Sequence, residues 1–323
     1  MIVIRDIDEM PPASDRSAVT IGFYDGVHLG HRAVLAAVCD EATARGLSTS
    51  VITFDRHPAQ ILRPESAPRL LCDLEQKLEL LATTGVDRTL VITFNHERSL
   101  ESAPDFVETV LVGALRASLV VVGEDFHFGH HRQGNVSLLE EMGETAGFSV
   151  IGHRLVGVDG HEARPESQVS STAIRRALSE GRLDDANAML GRPHEMRGPV
   201  VDGDKRGREI GFPTANVAVP DEMLLPADGI YAGHLVRAHG EVLDAAIYVG
   251  KRPTFYDDQP ASLIEVHCLD WSGDLYGERV AVRFEAMLRG DQRFDGVEAL
   301  TEQLRLDCAR ARDTLALNAK GAP

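Results

Sequence analysis

Two histidines three residues apart, His28 and His31, are the first residues of this sequence that could do chemistry. They close the segment TIGFYDGVHLGH, residues 20–31, which follows a short apolar run and leads into an amphipathic stretch. Imidazoles at positions i and i+3 lie on one face of a helix, so both can point toward one ligand. At a helix N-terminus that ligand is typically an anion, because unbonded N–H groups and the helix dipole meet it there.

The glycines of this segment favour a phosphate site over two alternatives. Gly22, Gly26 and Gly30 let the backbone approach a ligand closely. An exposed helix face would also explain histidines at this spacing, and so would half of a zinc site. Zinc needs further ligands, which the histidines between 127 and 131 could supply, although no Cys/His spacing typical of a structural zinc site is nearby.

A second segment, GDKRGREIGFPTAN at residues 203–216, is rich in glycine and basic residues. It has the ingredients of a phosphate loop, although the chain contains no GxxxxGK[ST] motif. Thr214 and Asn216 lie two apart, so in an extended segment both side chains face one way. Their oxygens suit Mg²⁺, which leaves its other positions to phosphates and water. A glycine-rich hairpin with a basic surface is the alternative.

Other positions have a chemical and a structural interpretation. Glu265, in an apolar run, is a general base if it points into a pocket, and otherwise lies on an exposed face. Thr172 and Arg175 can hold a phosphate one turn into a helix, whereas Ser171 alone is explained as an N-cap. The segment GEDFHFG, residues 123–129, is a loop over a pocket or a surface loop.

Composition restricts the partners. The formal net charge of −17 and the pI near 5.2 argue against binding to nucleic acid or an anionic membrane, since both require a basic face. The four cysteines are far apart and form no CxxC pair, so neither a disulfide framework nor a zinc module is indicated. The N-terminus is charged, and no apolar run approaches the ~20 residues of a membrane span. We expect a cytoplasmic protein whose oligomeric state the sequence leaves open.

In the first half, strands alternate with helices, and these elements must position the candidate residues. The predicted strands are 18–22, 49–54, 88–94, 118–123 and 148–154. The predicted helices are 29–44, 73–83, 104–115, 136–146 and 171–180. Strict alternation implies right-handed crossovers and a buried parallel sheet, so we expect a Rossmann-like fold that binds ligands beyond the carboxyl ends of its strands.

After residue 181 the pattern changes. A short helix at 183–190 and a connection over 191–198 lead to strands without intervening helices, at 230–238, 241–249, 262–269 and 279–286. Such strands favour an antiparallel sheet or small β-barrel. An amphipathic helix over 294–317 closes it. We therefore predict an α/β domain over 1–184 and a β-barrel domain over 185–323.

Together and in this order, the motifs resemble the prokaryotic bifunctional riboflavin kinase/FAD synthetase family over nearly the whole chain. The first half matches the family pattern GxFDGVHxGH at 22–31, and carries GxDFxFG at 123–129 and SSTxIR at 170–175. The second half matches GRxxGFPTAN at 207–216. PADGIYAG at 226–233, PTF at 253–255 and DLYG at 274–277 are further family-like landmarks.

The resemblance implies two reactions. In the second domain the γ-phosphoryl of ATP passes to the 5′-hydroxyl of riboflavin and gives FMN, with Glu265 as base and Thr214 and Asn216 as ligands of Mg²⁺ and phosphate. In the first domain FMN joins the α-phosphate of a second ATP, which gives FAD and releases pyrophosphate. There His28 and His31 stabilise charge on the transferred phosphorus, and no protein nucleophile is needed.

The resemblance also assigns the remaining site residues. Those expected to bind nucleotide or phosphate are Gly22, Tyr24, Asp25, Gly26, Ser171, Thr172, Arg175, Gly203, Lys205, Arg208 and Gly211. Those expected to bind flavin are Asp125, Phe126 and Phe128.

The sequence departs from the family pattern at Tyr24, Arg56, Tyr248 and Asp291, where Phe, Pro, Asn and Glu are common. Arg56 adds a charge near the predicted nucleotide site. Two alternatives therefore stay open. One is a kinase whose adenylyltransferase domain is impaired, and the other is a flavin- or nucleotide-binding sensor without turnover.

Overall fold

The computed structural model describes residues 1–10, 16–154, 156–163, 168–203, 206–251 and 262–321. Contacts divide the chain into two compact units, Met1–Ser171 and Thr172–Pro323. This division falls at the start of a helix, Ser171–Ser179. The boundary near residue 184 between the two functional domains stays a prediction. Among the described residues, no helix combines the length and apolarity needed to cross a membrane.

The first unit is built on a parallel sheet. Its strands are β1 Ile2–Ile4, β2 Ser17–Ile21, β3 Ser48–Phe54, β4 Arg88–Ile92, β5 Ala117–Gly123, β6 His127–Phe128, β7 Gly134–Asn135 and β8 Ser149–His153. Six of them form one sheet in the order β1-β4-β3-β2-β5-β8, and every neighbouring pair is parallel. The remaining two, β6 and β7, form a small antiparallel hairpin.

Helices cover both faces of this sheet. They are α1 Leu29–Arg45, α2 Pro58–Leu62, α3 Leu74–Ala82, α4 His96–Ser99, α5 Ala103–Phe106 and α6 Val136–Ala146. The predicted helix over 104–115 is not uniform, because α5 continues as a π-helical stretch, Val107–Ala114. On one face α1 packs against β2 and β5 through Val38 and Ala42. All five residues of β2 are buried, as expected for a strand covered on both faces. The Rossmann-like prediction is confirmed.

The strand order reverses beside β2. From there β3 and β4 follow on one side, whereas β5 and β8 lie on the other. A crevice opens at the carboxyl ends of two strands whose connections run to opposite sides. The segments that leave β2 and β5, residues 22–28 and 123–129, are the ones that flank this crevice.

The second unit is a closed β-barrel. Its strands are β9 His194–Val201, β10 Ala215–Ala218, β11 Gly229–Val236, β12 Val242–Lys251, β13 Ser262–Cys268 and β14 Arg279–Gly290. They pair antiparallel in the order β10-β13-β12-β11-β14-β9, and β9 returns to β10. The helices of this unit are α7 Ser171–Ser179, α8 Leu183–Leu190, α9 Arg206–Glu209 and α10 Val297–Gly321. Helix α10 packs on Ala232 and Leu269 through Cys308, Ala311 and Leu315. The barrel with its long closing helix is confirmed.

The predicted connection over 191–198 is wrong, because most of it lies in β9. Charged residues, Gly198 and Pro199 hide the strand in the sequence. In the structure Met196 and Val200 are buried on one face of the strand. Glu195 is almost as buried, and it accepts hydrogen bonds from Arg197 at 2.8 Å and Arg283 at 2.7 Å. Arg197 from β9 itself and Arg283 from β14 thus offset the charge that made the segment look like a loop.

Candidate functional sites

Residues 22–28, here called the histidine loop, carry the chain from β2 into α1. Three of them have positive φ angles: 54° at Tyr24, 76° at Gly26 and 39° at Val27. A positive φ is costly for a β-branched residue such as valine. Val27 is fully buried, so packing holds the loop in this conformation. Such strain is typical of segments that position functional groups.

The two histidines form one stacked unit at the start of α1. Their ring centroids lie 3.6 Å apart with an interplanar angle of 18°. Nδ1 of His28 accepts a hydrogen bond from the His31 N–H at 3.3 Å, so His28 is the N-cap of the helix. A neutral imidazole that accepts at Nδ1 carries its proton on Nε2 and can donate it to an oxyanion. This capping role was not predicted from the sequence.

Gly30 makes room for this arrangement. A Cβ built there would lie 3.0 Å from the carbonyl oxygen of Val169 and 3.2 Å from the His28 ring. Any side chain would therefore displace the histidine or the backbone beside it. The glycines of this segment were expected to let the backbone approach a ligand closely. At Gly30 the close neighbours are other residues of the same chain.

Asp25 and Gly26 anchor the histidine loop to the interior. The Asp25 carboxylate, 3% exposed, accepts hydrogen bonds from the N–H groups of Leu71 at 2.9 Å and Cys72 at 3.3 Å. The Gly26 N–H donates to the Cys72 sulfur at 3.1 Å. Leu71 and Cys72 were missed as part of the site, because nothing in their own sequence suggests it. The predicted contacts of Asp25 and Gly26 with nucleotide stay predictions.

The buried phenol of Tyr24 forms a hydrogen bond with the hydroxyl of Thr20. Tyr24 Oη and Thr20 Oγ1 lie 2.7 Å apart, and both residues are buried. Burial raises the pKa of Tyr24, so the phenol is neutral. A Cβ at Gly22 would touch its ring at 3.0 Å. The departure from Phe at this position therefore comes with its own hydrogen-bond partner.

Ser171, the last residue of the first unit, contacts the histidine loop. Its hydroxyl donates to the Asp25 carbonyl oxygen at 3.1 Å. Thr172 and Arg175 follow in the first turn of α7, where contacts group them with the second unit. Their role as phosphate ligands of the first site stays a prediction.

The segment after β5 presents aromatic side chains. The rings of Phe126 and Phe128 stack with centroids 5.5 Å apart, and Phe128 also packs on Phe106 at 5.8 Å. Both rings lie against the core but remain partly exposed. The Asp125 carboxylate is exposed and turns back over Gly123, where a Cβ would lie 2.9 Å from its Oδ1. An aromatic surface beside the crevice suits a planar ring system.

The charge of Arg56 is neutralised locally. Its guanidinium lies 3.2 Å from the Asp55 carboxylate, and its side chain is 51% exposed. Asp55 also accepts a hydrogen bond from the Phe94 N–H at 2.9 Å. The next residue, His57, is the N-cap of α2. The structure thus gives the segment after β3 a capping function and a surface ion pair.

In the barrel, three polar side chains lie side by side on neighbouring strands. Asn216 on β10 is directly opposite Glu265 on β13, and Glu265 is opposite Tyr248 on β12. Directly opposite residues share one face of a sheet. The neighbours Ile264 and Val266 fill the barrel interior, so Glu265 lies on the outer face. The sequence left that orientation open.

The glycine-rich segment lies directly on Asn216. A Cβ at Gly203 would collide with the Asn216 amide group, so any other residue there would displace the Asn216 side chain. Asn216 itself is 6% exposed.

Burial, followed by the nearby charges of Asp291 and Glu265, raises the pKa of Tyr248. Lys205, predicted to bind phosphate, lies outside the described residues.

A cavity of about 480 Å³ opens beside Thr214 in the second unit. Arg208 and Thr214 line one part of it, and the segment 271–276 lines another with Trp271, Asp274 and Tyr276. Gly211, at φ 87°, makes the turn between Arg208 and Thr214. The volume suits a small organic ligand with an aromatic ring. Trp271 was missed as a site residue because its distance in sequence from Thr214 gives no signal.

A larger cavity, about 620 Å³, lies in the first unit at the ends of β1 and β4. None of the predicted site residues lines it. Among the described residues, no group of three or more His, Cys, Asp or Glu side chains is placed to hold a metal ion. The zinc interpretation of the histidine pair therefore gains no support there.

Two family models match the chain. One described as FAD synthetase matches residues 10–172, and one described as riboflavin kinase matches residues 190–315. The first covers the histidine loop, and the second covers the barrel strands that carry Asn216 and Glu265.

Curated relatives match over almost their full length. A protein from Listeria monocytogenes is 39% identical over 94% of this chain and 92% of its own. One from Pseudomonas fluorescens is 38% identical over 97% of both chains, and one from Escherichia coli K12 is 36% identical over 98% and 99%. All three are named bifunctional riboflavin kinase/FMN adenylyltransferase. A crystal structure described as a macrolide-efflux protein from Streptococcus pneumoniae, 30% identical, matches 96% of this chain and 98% of its own with a TM-score of 0.83.

Proposed function

The chain belongs to the family of bifunctional riboflavin kinase/FMN adenylyltransferases, and we propose how its residues divide the two reactions. It phosphorylates riboflavin to FMN and adenylylates FMN to FAD. We assign adenylyl transfer to residues 1–184 and phosphorylation to residues 185–323. The observation that carries this assignment is that the His28–His31 pair and the Asn216–Glu265 pair lie in different compact units.

In the kinase reaction Glu265 acts as the general base. It accepts the proton of the riboflavin 5′-hydroxyl, whose oxygen attacks the γ-phosphorus of ATP while ADP leaves. Asn216, directly opposite, orients the transferred phosphoryl group through its amide. Arg208 and Thr214, which line the 480 Å³ cavity, hold the nucleotide phosphates, and the cavity takes the remainder of ATP. Gly203 and Gly211 shape the glycine-rich segment around them, and Lys205 adds a cation.

The residues of this site fit a magnesium ion. Thr214 and Asn216 supply neutral oxygen ligands of the hard type that Mg²⁺ prefers, and few protein ligands suffice when phosphates and water complete the shell. The bound ion would neutralise charge on the β- and γ-phosphates. Thr214 and Asn216 would hold it, and the backbone at Gly203 would keep the Asn216 amide in place.

In the adenylyl transfer, the phosphate of FMN attacks the α-phosphorus of a second ATP, and pyrophosphate leaves. His28 donates its Nε2 proton in a hydrogen bond to the oxygens that gain charge, and His31 supports it from the stacked position. The N–H groups of the first turn of α1 and the backbone at Gly22 and Gly26 face the same charge. Thr172 and Arg175 hold the departing phosphates. Tyr24, Asp25 and Ser171 hold the loop.

The flavin ring is bound in the first site by Phe126 and Phe128, with Asp125 at the rim. The stacked, partly exposed rings support this assignment, because isoalloxazine is flat and aromatic. Small molecules are the only partners proposed, and the net charge of −17 supports the exclusion of nucleic acid. A cytoplasmic location is supported by four cysteines without disulfides.

Two isosteric or cap-preserving substitutions separate the reactions. Glu265→Gln removes the base and should slow FMN formation by about 100-fold or more, while FMN is still converted to FAD. His28→Asn keeps an N-cap acceptor but removes the imidazole, so FAD formation should fall by about 100-fold while FMN formation continues. Both rates are measured by chromatography of flavins with Mg-ATP.

The unsubstituted protein is the reference for these assays. Unreacted riboflavin in that reaction would contradict the enzymatic function, and FMN that never becomes FAD would support the impaired-domain alternative. If either substitution abolished both reactions in a folded protein, the assignment of two separate sites would be wrong.

A further inference from the structure

A lysine is buried behind the histidine loop. Lys77 lies on α3 and is 3% exposed. The lysines of the chain stand at 77, 205, 251 and 320, so Lys77 is alone among the first 204 residues, whose other permanent cations are arginines. A buried ammonium is costly unless hydrogen bonds and opposite charges replace its water. The groups around Lys77 show which contacts replace the water that would solvate its ammonium.

The ammonium binds the ends of two neighbouring strands. Lys77 Nζ donates to the carbonyl oxygen of Phe23 at 3.1 Å and to that of Phe54 at 2.8 Å. It also lies 4.1 Å from the centroid of the Phe23 ring, which is a cation–π contact. Phe23 belongs to the histidine loop, and Phe54 is the last residue of β3. One side chain thus fixes the point at which two parallel strands end.

Other contacts gather at the same point. The Thr53 hydroxyl donates to the same Phe23 carbonyl at 3.1 Å, and the Phe23 ring packs edge-on against His57 at 4.7 Å. The residue after Phe23 is Tyr24, where the backbone takes its first positive φ. The position of the Phe23 carbonyl therefore sets the direction in which the loop leaves the sheet.

The titratable groups around the ammonium are consistent with this role. Burial lowers the pKa of Lys77 to about 8, while Cys72, Asp25 and Asp55 act in the opposite direction. Asp25 and Cys72 come from the anchor of the histidine loop, and Asp55 comes from the segment after β3. A lysine ammonium has three donors on a compact charge, which suits carbonyls converging from two segments better than the planar fork of arginine.

We propose that Lys77 is a positioning residue for adenylyl transfer, which holds the Phe23 and Phe54 carbonyls and thereby sets the histidine loop, with His28 and His31, relative to the segment after β3. This inference rests on the proposed function of the first site. Lys77 touches the loop backbone, and the reacting phosphates are met by other groups. Loss of its contacts should misplace the histidines without removing them.

The test compares Lys77→Met with a matched control. Methionine has nearly the same length but no donor. Thr49→Val removes a buried hydroxyl bonded to Asp87 at 2.9 Å, at the opposite end of the same strand, β3. Lys77→Met should lower kcat for FMN adenylylation by about 10- to 100-fold, with smaller changes in KM, because misplacement of reacting groups acts on the chemical step. Thr49→Val should change the kcat of FMN adenylylation by no more than about twofold. The rate of FMN formation should be unchanged in both variants.

The outcomes are distinguishable. If both variants lose adenylylation activity in proportion to the decrease in their melting temperatures, Lys77 only stabilises the fold. Full adenylylation by folded Lys77→Met would overturn the proposal outright. If the unsubstituted protein makes no FAD, it is the proposed function that fails.

A pH profile decides the question if Lys77→Met does not fold. The adenylylation rate of the unsubstituted protein should decline as pH rises through about 8, where Lys77 loses its charge. Lys77→Arg keeps a cation at all these pH values, so its profile should lack this decline. Identical profiles for the two proteins would contradict a role for the ammonium.

Discussion

At the scale of single residues, the histidine loop depends on buried polar groups matched one to one. Tyr24 and Thr20 share a hydrogen bond of 2.7 Å, and both are excluded from water. An unmatched buried hydroxyl costs more than the bond itself contributes. The tyrosine is thus tolerated in a family position for Phe because β2 supplies the threonine.

Tyr24→Phe should destabilise the protein by about 1 kcal/mol and leave adenylylation nearly unchanged, because the ring that packs on Gly22 remains. The double variant Tyr24→Phe/Thr20→Val should recover most of that loss, since neither hydroxyl is left alone. Urea unfolding measures both effects. Losses that simply add in the double variant would show that the two hydroxyls are independent.

At the scale of elements, helix α10 is fixed to the barrel by a buried ion pair. Arg289 on β14 donates to both carboxylate oxygens of Asp307, at 3.0 and 2.7 Å. Gln303 donates to the same carboxylate at 2.9 Å. Asp307 is 1% exposed, so these donors stand where water would otherwise solvate its carboxylate.

Asp307→Ala should destabilise the second unit by about 3 kcal/mol or more, because it leaves the Arg289 charge partly buried without its carboxylate. Glu302→Ala on the same helix is the control. It removes a pair at 3.3 Å whose side chains are 66% and 65% exposed, and should cost less than about 1 kcal/mol. The fluorescence of Trp271, the single tryptophan, follows unfolding of this unit. Equal effects of the two variants would contradict the role of the buried pair.

At the scale of the whole molecule, the two units should respond differently to acid. His194 on β9 is 2% exposed and stacks on Phe284. Burial, and then the Arg192 charge, lowers the pKa of His194 to about 4. The unfolded chain binds a proton at about 6.5, where the folded barrel does not. The neutral His194 therefore makes its full contribution to the free energy of unfolding above pH 6.5. This contribution is lost as the pH falls toward 4.

Between pH 7 and pH 4 the second unit should lose about 3 kcal/mol on account of His194. His194→Phe keeps an aromatic side chain against Phe284 and has no titration, so its stability should depend less steeply on pH. Urea titrations followed by Trp271 fluorescence at several pH values provide the measurement. Parallel pH dependences of the two proteins would show that other groups control acid unfolding.

Local patterns in the sequence determined most of the fold. Alternating strands and helices predicted the parallel sheet, and residues 29–45, 136–146 and 171–179 form the helices that their periodicity indicates. Paired histidines after a strand, and Thr214 and Asn216 two apart, also marked both candidate sites. These features can be predicted because the spacing within one element fixes which side chains share a face. The strand β9 was missed because it contains charged residues. The partner that lets Glu195 be buried, Arg283, lies on β14 and is distant in the sequence.

Tertiary structure alone decided what supports each site. Leu71, Cys72 and Lys77 reach the histidine loop across a separation of about 50 residues. Asn216 meets Glu265 only through the register of β10 and β13. Contacts of this kind depend on which strands become neighbours and how they align, and no local pattern in the sequence encodes them. The sequence by itself therefore determined the chemical groups and the family, whereas the packing of distant segments decided that His28 caps a helix, that Asp25 turns inward and that a buried lysine holds two strand ends together.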